Sequence, residues 1–359
     1  MGNLKSTTDI SKFDSLKILD ANQVSQDSLY EFLTSVYSKE RAEFLERYSP
    51  WLFVEGKNRW VVLIGNAIAG YCAVIPGKIH LRGESIPIIW WVDLIVGSKY
   101  RGLGLQSLLD SKIRELDIIK FGIPNKTAAG IHLKHGWGVR DDLRVCLLPL
   151  YPMKVNHIND SEGIKKWLLI VLALGLSPIA WFWRKYLNQF TRWSSWSEVD
   201  PDIGKLSEIF DAYCPSNLIT DWRDEQYFHH RFICAPYRSE LKFYFAGPLD
   251  SPTHYLIARF LIRNGIKNVR VLDMFGDFND LKGYKDLLKH LIQESVEWNA
   301  AQITCMCSLP GMNSLLRSLG FWIQQKTRFC WYPKECCRLE DSSTELWISL
   351  ADSDNDSPD

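Results

Sequence analysis

The stretch Ile86–Leu109 constrains the fold more than any other. A continuous apolar run, Ile86–Val96, stops at Gly97 and passes through Lys99-Tyr-Arg-Gly102-Leu-Gly104. It then enters a pattern with Leu105, Leu108, Leu109, Ile113 and Leu116 on one helical face. A buried strand followed at once by a glycine turn and an amphipathic helix predicts a sheet with helices on its faces. The turn also predicts chemistry. Backbone N–H groups at a helix N-terminus are unpaired and bear partial positive charge, so they bind anions. Glycines let those groups approach a ligand, and Lys99 and Arg101 add formal charge. The plainer reading is a tight, soluble surface turn.

Flanking patterns extend the sheet. A helix is expected over roughly Asp27–Tyr48, and strands over Trp60–Ile64, Ala67–Ile75 and Lys78–Leu81. A strand at Ile118–Ile123 leads into a helix at Lys126–His135, which Gly136 ends. From Asp200 the plan recurs. Helices are expected at Ile203–Tyr213 and Glu225–Ile233, and strands at Leu241–Phe245, Tyr255–Ile262 and Asn268–Phe275. A helix at Asp280–Trp298, a strand at Gln302–Cys307 and a helix at Gly311–Leu319 complete it. Gly136-Trp137 precedes Cys146 by the spacing with which Gly320-Phe321 precedes Cys330. The chain therefore reads as two diverged copies of one α/β (α+β, mixed-sheet) fold. The expected division is a first domain at 1–155, an apolar linker helix at 156–199, a second domain at 200–350 and an acidic disordered tail at 351–359.

Composition narrows the classes. Of the 359 residues 46% are hydrophobic and 23% charged, as in globular proteins, and the formal net charge is zero. No global field attracts nucleic acid, so none is expected as a partner. Nine cysteines without framework spacing read as reduced thiols of a cytoplasmic protein. They lack the CxxC pairs of structural zinc sites, so no metal is expected. The N-terminus has no apolar signal core and is expected not to be secreted. The Trp167–Trp183 run is shorter than a bilayer span and flanked by Trp, Lys and Arg. Two readings stay open for it: a linker helix packed on both domains, or peripheral contact with the inner face of a membrane.

The turn and the later helix together resemble the GCN5-related N-acetyltransferase superfamily. Its motif, Gln/Arg-x-x-Gly-x-Gly/Ala, stands here as Lys99 to Gly104, with lysine first. Asn125, Ala128 and Gly136-Trp137 match its second element. Phe121–Asn125, Arg223–Tyr227 with His230–Phe232, and Ala235–Tyr237 look like a tandem-domain subgroup associated with bacterial surface-polysaccharide synthesis. The resemblance implies an acyl-CoA-dependent N-acyltransferase, with acetyl-CoA as donor and an amine-bearing small molecule, such as an amino sugar, as acceptor. It implies coenzyme binding by Leu94, Val96, Lys99, Arg101, Gly102, Leu103, Gly104 and Asn125.

Where the superfamily carries a tyrosine that protonates the leaving thiolate, this chain has His132. A histidine can deliver a proton near neutral pH, and can equally be structural. Asp93, among Trp, Val, Leu and Ile, is the leading base candidate, because desolvation raises a carboxyl's pKa; Glu84 is second. Strand alternation predicts Trp91, Asp93 and Ile95 on one face and Val92, Leu94 and Val96 on the other. The second copy has Asp273–Gly283 in place of the basic turn and Leu316 in place of a tyrosine, so coenzyme is not expected there. The competing class is a non-catalytic protein that keeps the fold for binding or assembly. Aminoacyl transfer from tRNA by tandem relatives is disfavoured by the intact turn.

Overall fold

In a computed structural model, residues 16–53, 58–151, 175, 195–198, 200–336 and 344–353 are described. The chain forms two compact units that are not contiguous in sequence. One holds Met1–Asp141, Arg328–Ser342 and Ser353–Asp359; the other holds Asp142–Thr327 and Ser343–Asp352. The expected linker lies outside the described residues, apart from Gly175 and Ser195–Glu198. Among the described residues no helix is long and apolar enough to cross a membrane.

The first unit is built on β1 (Leu16–Asp20), β2 (Arg59–Ile64), β3 (Ala67–Leu81) and β4 (Glu84–Val96), antiparallel in that order. β5 (Ile119–Gly122) adds parallel to β4, and Cys330–Tyr332 of a much later strand pairs antiparallel with β5. The Lys78–Leu81 and Ala67–Ile75 segments form one strand, because the ladder to β4 runs through Pro76 and Gly77. The expected helix at Asp27–Tyr48 is instead two, α1 (Gln26–Val36) and α2 (Lys39–Leu52). Ser38 causes the break: its extended backbone and its Oγ, accepting from Arg41 N–H, start a new helix.

α3 (Leu105–Arg114) and α4 (Lys126–Lys134) complete the unit. Leu105, Leu109 and Ile113 are wholly buried against Val62, Cys72, Val74, Ile89 and Trp91. Each contributes about 1.5–3 kcal/mol by leaving water. That packing anchors the helix whose first turn follows Gly104.

The second unit begins with residues 142–149 of β6 (Gly138–Pro149). β7 (Ser195–Glu198), β8 (Leu218–Asp221), β9 (Leu241–Ala246), β10 (His254–Arg263), β11 (Ile266–Gly276) and β12 (Gln302–Cys307) follow. β13 (Trp322–Tyr332) and β14 (Glu345–Leu346) come last. The order within this unit's sheet is β6, β12, β11, β10, β9, β7, with β11 and β12 parallel. Its helices are α5 (Ile203–Tyr213), α6 (Glu225–Phe228, continued by a π turn to Ile233), α7 (Leu281–Glu297) and α8 (Pro310–Ser318).

α4 and α8 end alike. Gly136 and Gly320 have φ of 82° and 88°, and the following Trp137 and Phe321 N–H groups donate to the carbonyls of His132 and Leu316. The two helices thus close with the same kind of C-terminal bond. Ala351–Ser353, expected in a disordered tail, are instead buried. Asp352 forms an ion pair with Arg223 at 3.0 Å, which holds the segment in the core.

Candidate active site

A cleft of about 410 Å³ opens in the first unit where β4 and β5 part. Their ladder covers only Ile88–Trp90 against Ile119–Phe121. Beyond it the strands diverge, and Trp91–Ile95 line one side while Gly122–Asn125, Ala128 and His132 line the other. Tyr37, Ser38 and Arg41, from the break between α1 and α2, also line it.

The β4 wall is not a regular strand. Val92 opposes Ala73 and Ile95 opposes Tyr71, so Asp93 and Leu94 together face Cys72. This is a β-bulge, and Asp93 adopts φ 52°, a left-handed value that aspartate tolerates better than most side chains. The expected alternation therefore fails. Trp91, Leu94 and Val96 share the face packed on α3, because the extra residue reverses the sidedness of everything after it.

Asp93 leaves that face and meets Arg41 and Tyr37. Its Oδ1 accepts from Arg41 Nη2 at 2.7 Å and from the Tyr37 hydroxyl at 3.0 Å. The side chains of Arg41 and Asp93 are 6% and 3% exposed. The apolar setting expected for Asp93 thus also contains a guanidinium. Burial and then the Asp93 charge push the Tyr71 hydroxyl and the Cys72 thiol far up, so both stay neutral. Glu84 lies at the opposite end of β4, outside the cleft.

His132 stands on the other wall. Its ring meets Trp91 edge-on at 4.8 Å and Trp137 at a tilt at 4.5 Å, and the residue is 5% exposed. Asn125 opens α4, its Oδ1 accepting from Ala128 N–H at 2.9 Å. It lines the cleft with Asp93, Leu94 and His132.

The other expected binding residues lie together at the end of β4, beyond the residues that line this cleft. Ser98–Tyr100 make one 3-10 turn, Arg101 is exposed, and its Nε donates to the Val96 carbonyl at 3.4 Å. Lys99 is exposed as well. Gly102 and Gly104 have φ of 84° and 80°, and a Cβ on Gly102 would meet nothing within 4 Å. Gly104 caps α3 without any side-chain hydrogen bond, so the first-turn donors keep their capacity for an outside acceptor. The side chains of Leu94, Val96 and Leu103 pack on the core cluster.

The corresponding place in the second unit is closed. Asp280 caps α7, its side chain accepting from Lys282 N–H at 3.1 Å. The buried His254 ring sits where a Cβ on Gly283 would come within 2.4 Å of it. Its Nε2 lies 3.1 Å from the carbonyls of both Asp277 and Asp280. Asp273 stands three residues before the end of β11, as Asp93 does before the end of β4. It receives Arg223 Nε at 2.9 Å and the Tyr255 hydroxyl at 2.8 Å, with no side-chain exposure.

Sequence reasoning missed Arg41 and Tyr37, which sat inside what read as one unbroken helix. It also missed Asp110, an acidic residue on the buried side of α3. The Ser38 capping position was the available signal for the first two.

No protein-family model matches the chain, and no curated protein does. Among solved structures it is similar to a GCN5-related N-acetyltransferase from Anabaena variabilis, at 16% identity over 90% of this chain and 74% of that one, with TM-score 0.57. It is similar to Saccharomyces cerevisiae N-myristoyltransferase with bound myristoyl-CoA, at 14% identity over 92% and 87% of the chains and TM-score 0.59. A GCN5-related N-acetyltransferase from Kribbella flavida aligns at 14% identity over 88% and 71%, with TM-score 0.51. The chain shares their mixed α/β acyltransferase fold.

Proposed function

We propose that the chain is an acyl-CoA-dependent N-acyltransferase that moves an acetyl group from acetyl-CoA to an amine-bearing small molecule. The observation carrying this reading is the uncapped start of α3 at Gly104, set after Lys99 and Arg101 at the end of a strand that parts from its neighbour. That start is suited to the coenzyme's pyrophosphate through backbone N–H groups and two cations. The parted segment Asp93–Val96 offers its backbone to the pantetheine arm and to the thioester carbonyl, where oriented N–H groups stabilise developing negative charge. Asn125 borders the same cleft. Trp91, His132 and Trp137 crowd one another, which favours a short acyl group.

The amine attacks the thioester directly. A C–N bond forms, the C–S bond breaks, one proton from the ammonium reaches the sulfur, and another leaves to solvent. His132 is suited to carry the proton, since imidazole exchanges protons near neutral pH. Asp93, already engaged by Arg41, is suited to hold the acceptor's ammonium in line rather than to take its proton. An amino sugar of surface-polysaccharide synthesis would offer such an ammonium. The second unit is assigned a supporting role, because the start of α7 is capped by a carboxylate.

The test is a thermal shift with acetyl-CoA on the parent protein and on Arg101→Glu. The parent is expected to rise by several degrees and the variant to lose most of that rise. No shift in the parent would remove the coenzyme reading. A shift without turnover over a panel of amino sugars and small amines would favour the non-catalytic binding protein.

A further inference from the structure

Asp110 is an acidic side chain with no exposure at all, on a face of α3 otherwise occupied by Leu105, Leu109 and Ile113. A carboxylate removed from water is costly unless opposite charge or hydrogen bonds compensate it. Oδ2 accepts from Arg114 Nε at 2.7 Å and stands against Nδ1 of His135. Oδ1 faces Nδ1 of His132 at 3.5 Å. Burial works to raise this carboxyl, but His132, His135 and Arg114 outweigh it and hold it below the usual range.

We propose that Asp110 is a positioning residue that keeps the ring proton of His132 on Nδ1 and leaves Nε2 for the cleft. The inference rests on the reading of the cleft as an acyl-transfer site. Nδ1 of His132 and Oδ1 of Asp110 are both buried, stand 3.5 Å apart and have no other hydrogen-bond partner among the described residues, so a lone pair on Nδ1 would face negative charge, whereas a proton there is drawn to the carboxylate. Trp91 and Trp137 flank the ring, which opposes its turning over. The charged or titratable groups around the ring's inner edge are Asp110 and Arg114 from α3 and His135 just after α4. β4 presents the neutral Trp91. Arg114 and His135 occupy Oδ2, which leaves Oδ1 to His132. Once one ammonium proton has left to solvent, the amine attacks, and Nε2 takes a second proton from its nitrogen as the C–N bond forms. Asp110 stabilises the resulting imidazolium, which returns that proton to the departing sulfur. The second unit has Leu316 at the matching helix position and can make no such couple.

The test uses the full chain with 15N-labelled histidine. Long-range 1H–15N spectra over a pH series identify which nitrogen is protonated, and His132→Gln assigns the signals. A neutral Nδ1–H tautomer is expected in the parent protein. Asp110→Asn is expected to weaken the preference for the Nδ1–H tautomer, since the carboxylate that favours a proton on Nδ1 is lost. It should also cut kcat about tenfold or more with little change in KM for acetyl-CoA. Asp110→Glu should recover part of the loss. An Nε2–H tautomer in the parent overturns the proposal. So does a folded Asp110→Asn protein whose His132 keeps the tautomer populations of the parent. A parent that binds no acetyl-CoA would instead sink the acyl-transfer reading, while the tautomer result still decides the role of Asp110.

Discussion

Replacing Arg41 by methionine is the sharpest probe of how the cleft is held. The guanidinium lies 2.7 Å from Asp93 Oδ1, and neither side chain is more than 6% exposed. Water cannot take over the lost contact. Removing one member of such a pair leaves a charge in a low-dielectric site and costs about 3–5 kcal/mol. The Tyr37 hydroxyl still donates to the same oxygen at 3.0 Å, which favours the lower end, so about 3 kcal/mol is expected. Asp93→Asn in the same chain removes the stranded charge. The double variant should recover about 2 kcal/mol relative to Arg41→Met alone, giving a large coupling energy. Urea unfolding of the parent, both single variants and the double variant closes the cycle. A loss below about 1 kcal/mol in Arg41→Met, or a double variant as unstable as the sum of the singles, would refute the buried pair.

Gly138→Ala puts a Cβ 2.2 Å from two ring atoms of Trp331, which is fully buried, so it should cost at least about 1–3 kcal/mol in thermal unfolding; an unchanged midpoint would contradict this packing. Burial works to raise Glu294, but bonds from His290, Lys242 and Tyr244 hold its carboxyl at about 2. Because the folded value is depressed, the stabilisation is present above the ordinary carboxyl range and fades as pH falls from about 4.5 towards 2. Glu294→Gln should therefore flatten the acid limb of a stability–pH curve, and an unaltered limb would count against the contacts. A fragment ending at residue 155 lacks Cys330–Tyr332, so it should neither unfold cooperatively nor respond to acetyl-CoA.

The Lys99–Gly104 turn was legible because glycine and charge interrupt an apolar run, and both glycines take the positive φ that only a residue without Cβ adopts freely. The strands of the second unit were legible for the same reason: their apolar runs end at polar turns. The bulge at Asp93 was not. A period-two pattern carries no mark of one extra residue, and the backbone of Asp93 is set by its partners. Arg41 and Tyr37 were hidden by helical spacing that continues across Ser38. Asp110 looked like an ordinary polar residue on α3; its partners His132 and His135 lie far along the chain, where sequence spacing does not bring them near. The allotment of 142–149 and 328–332 to opposite units had no local signal at all, since either strand satisfies the same alternation.

That allotment sets a timetable for synthesis. β5 emerges with its partner strand still unmade, because Cys330–Tyr332 lies about 190 residues beyond Asp141. At roughly 5–20 residues per second, the ribosome leaves that edge open for about 10–40 s. An open edge invites pairing with another nascent chain. The first unit is thus finished almost last, and the dense ribosome spacing that speeds production of a sequentially folded protein would here bring unfinished sheets together.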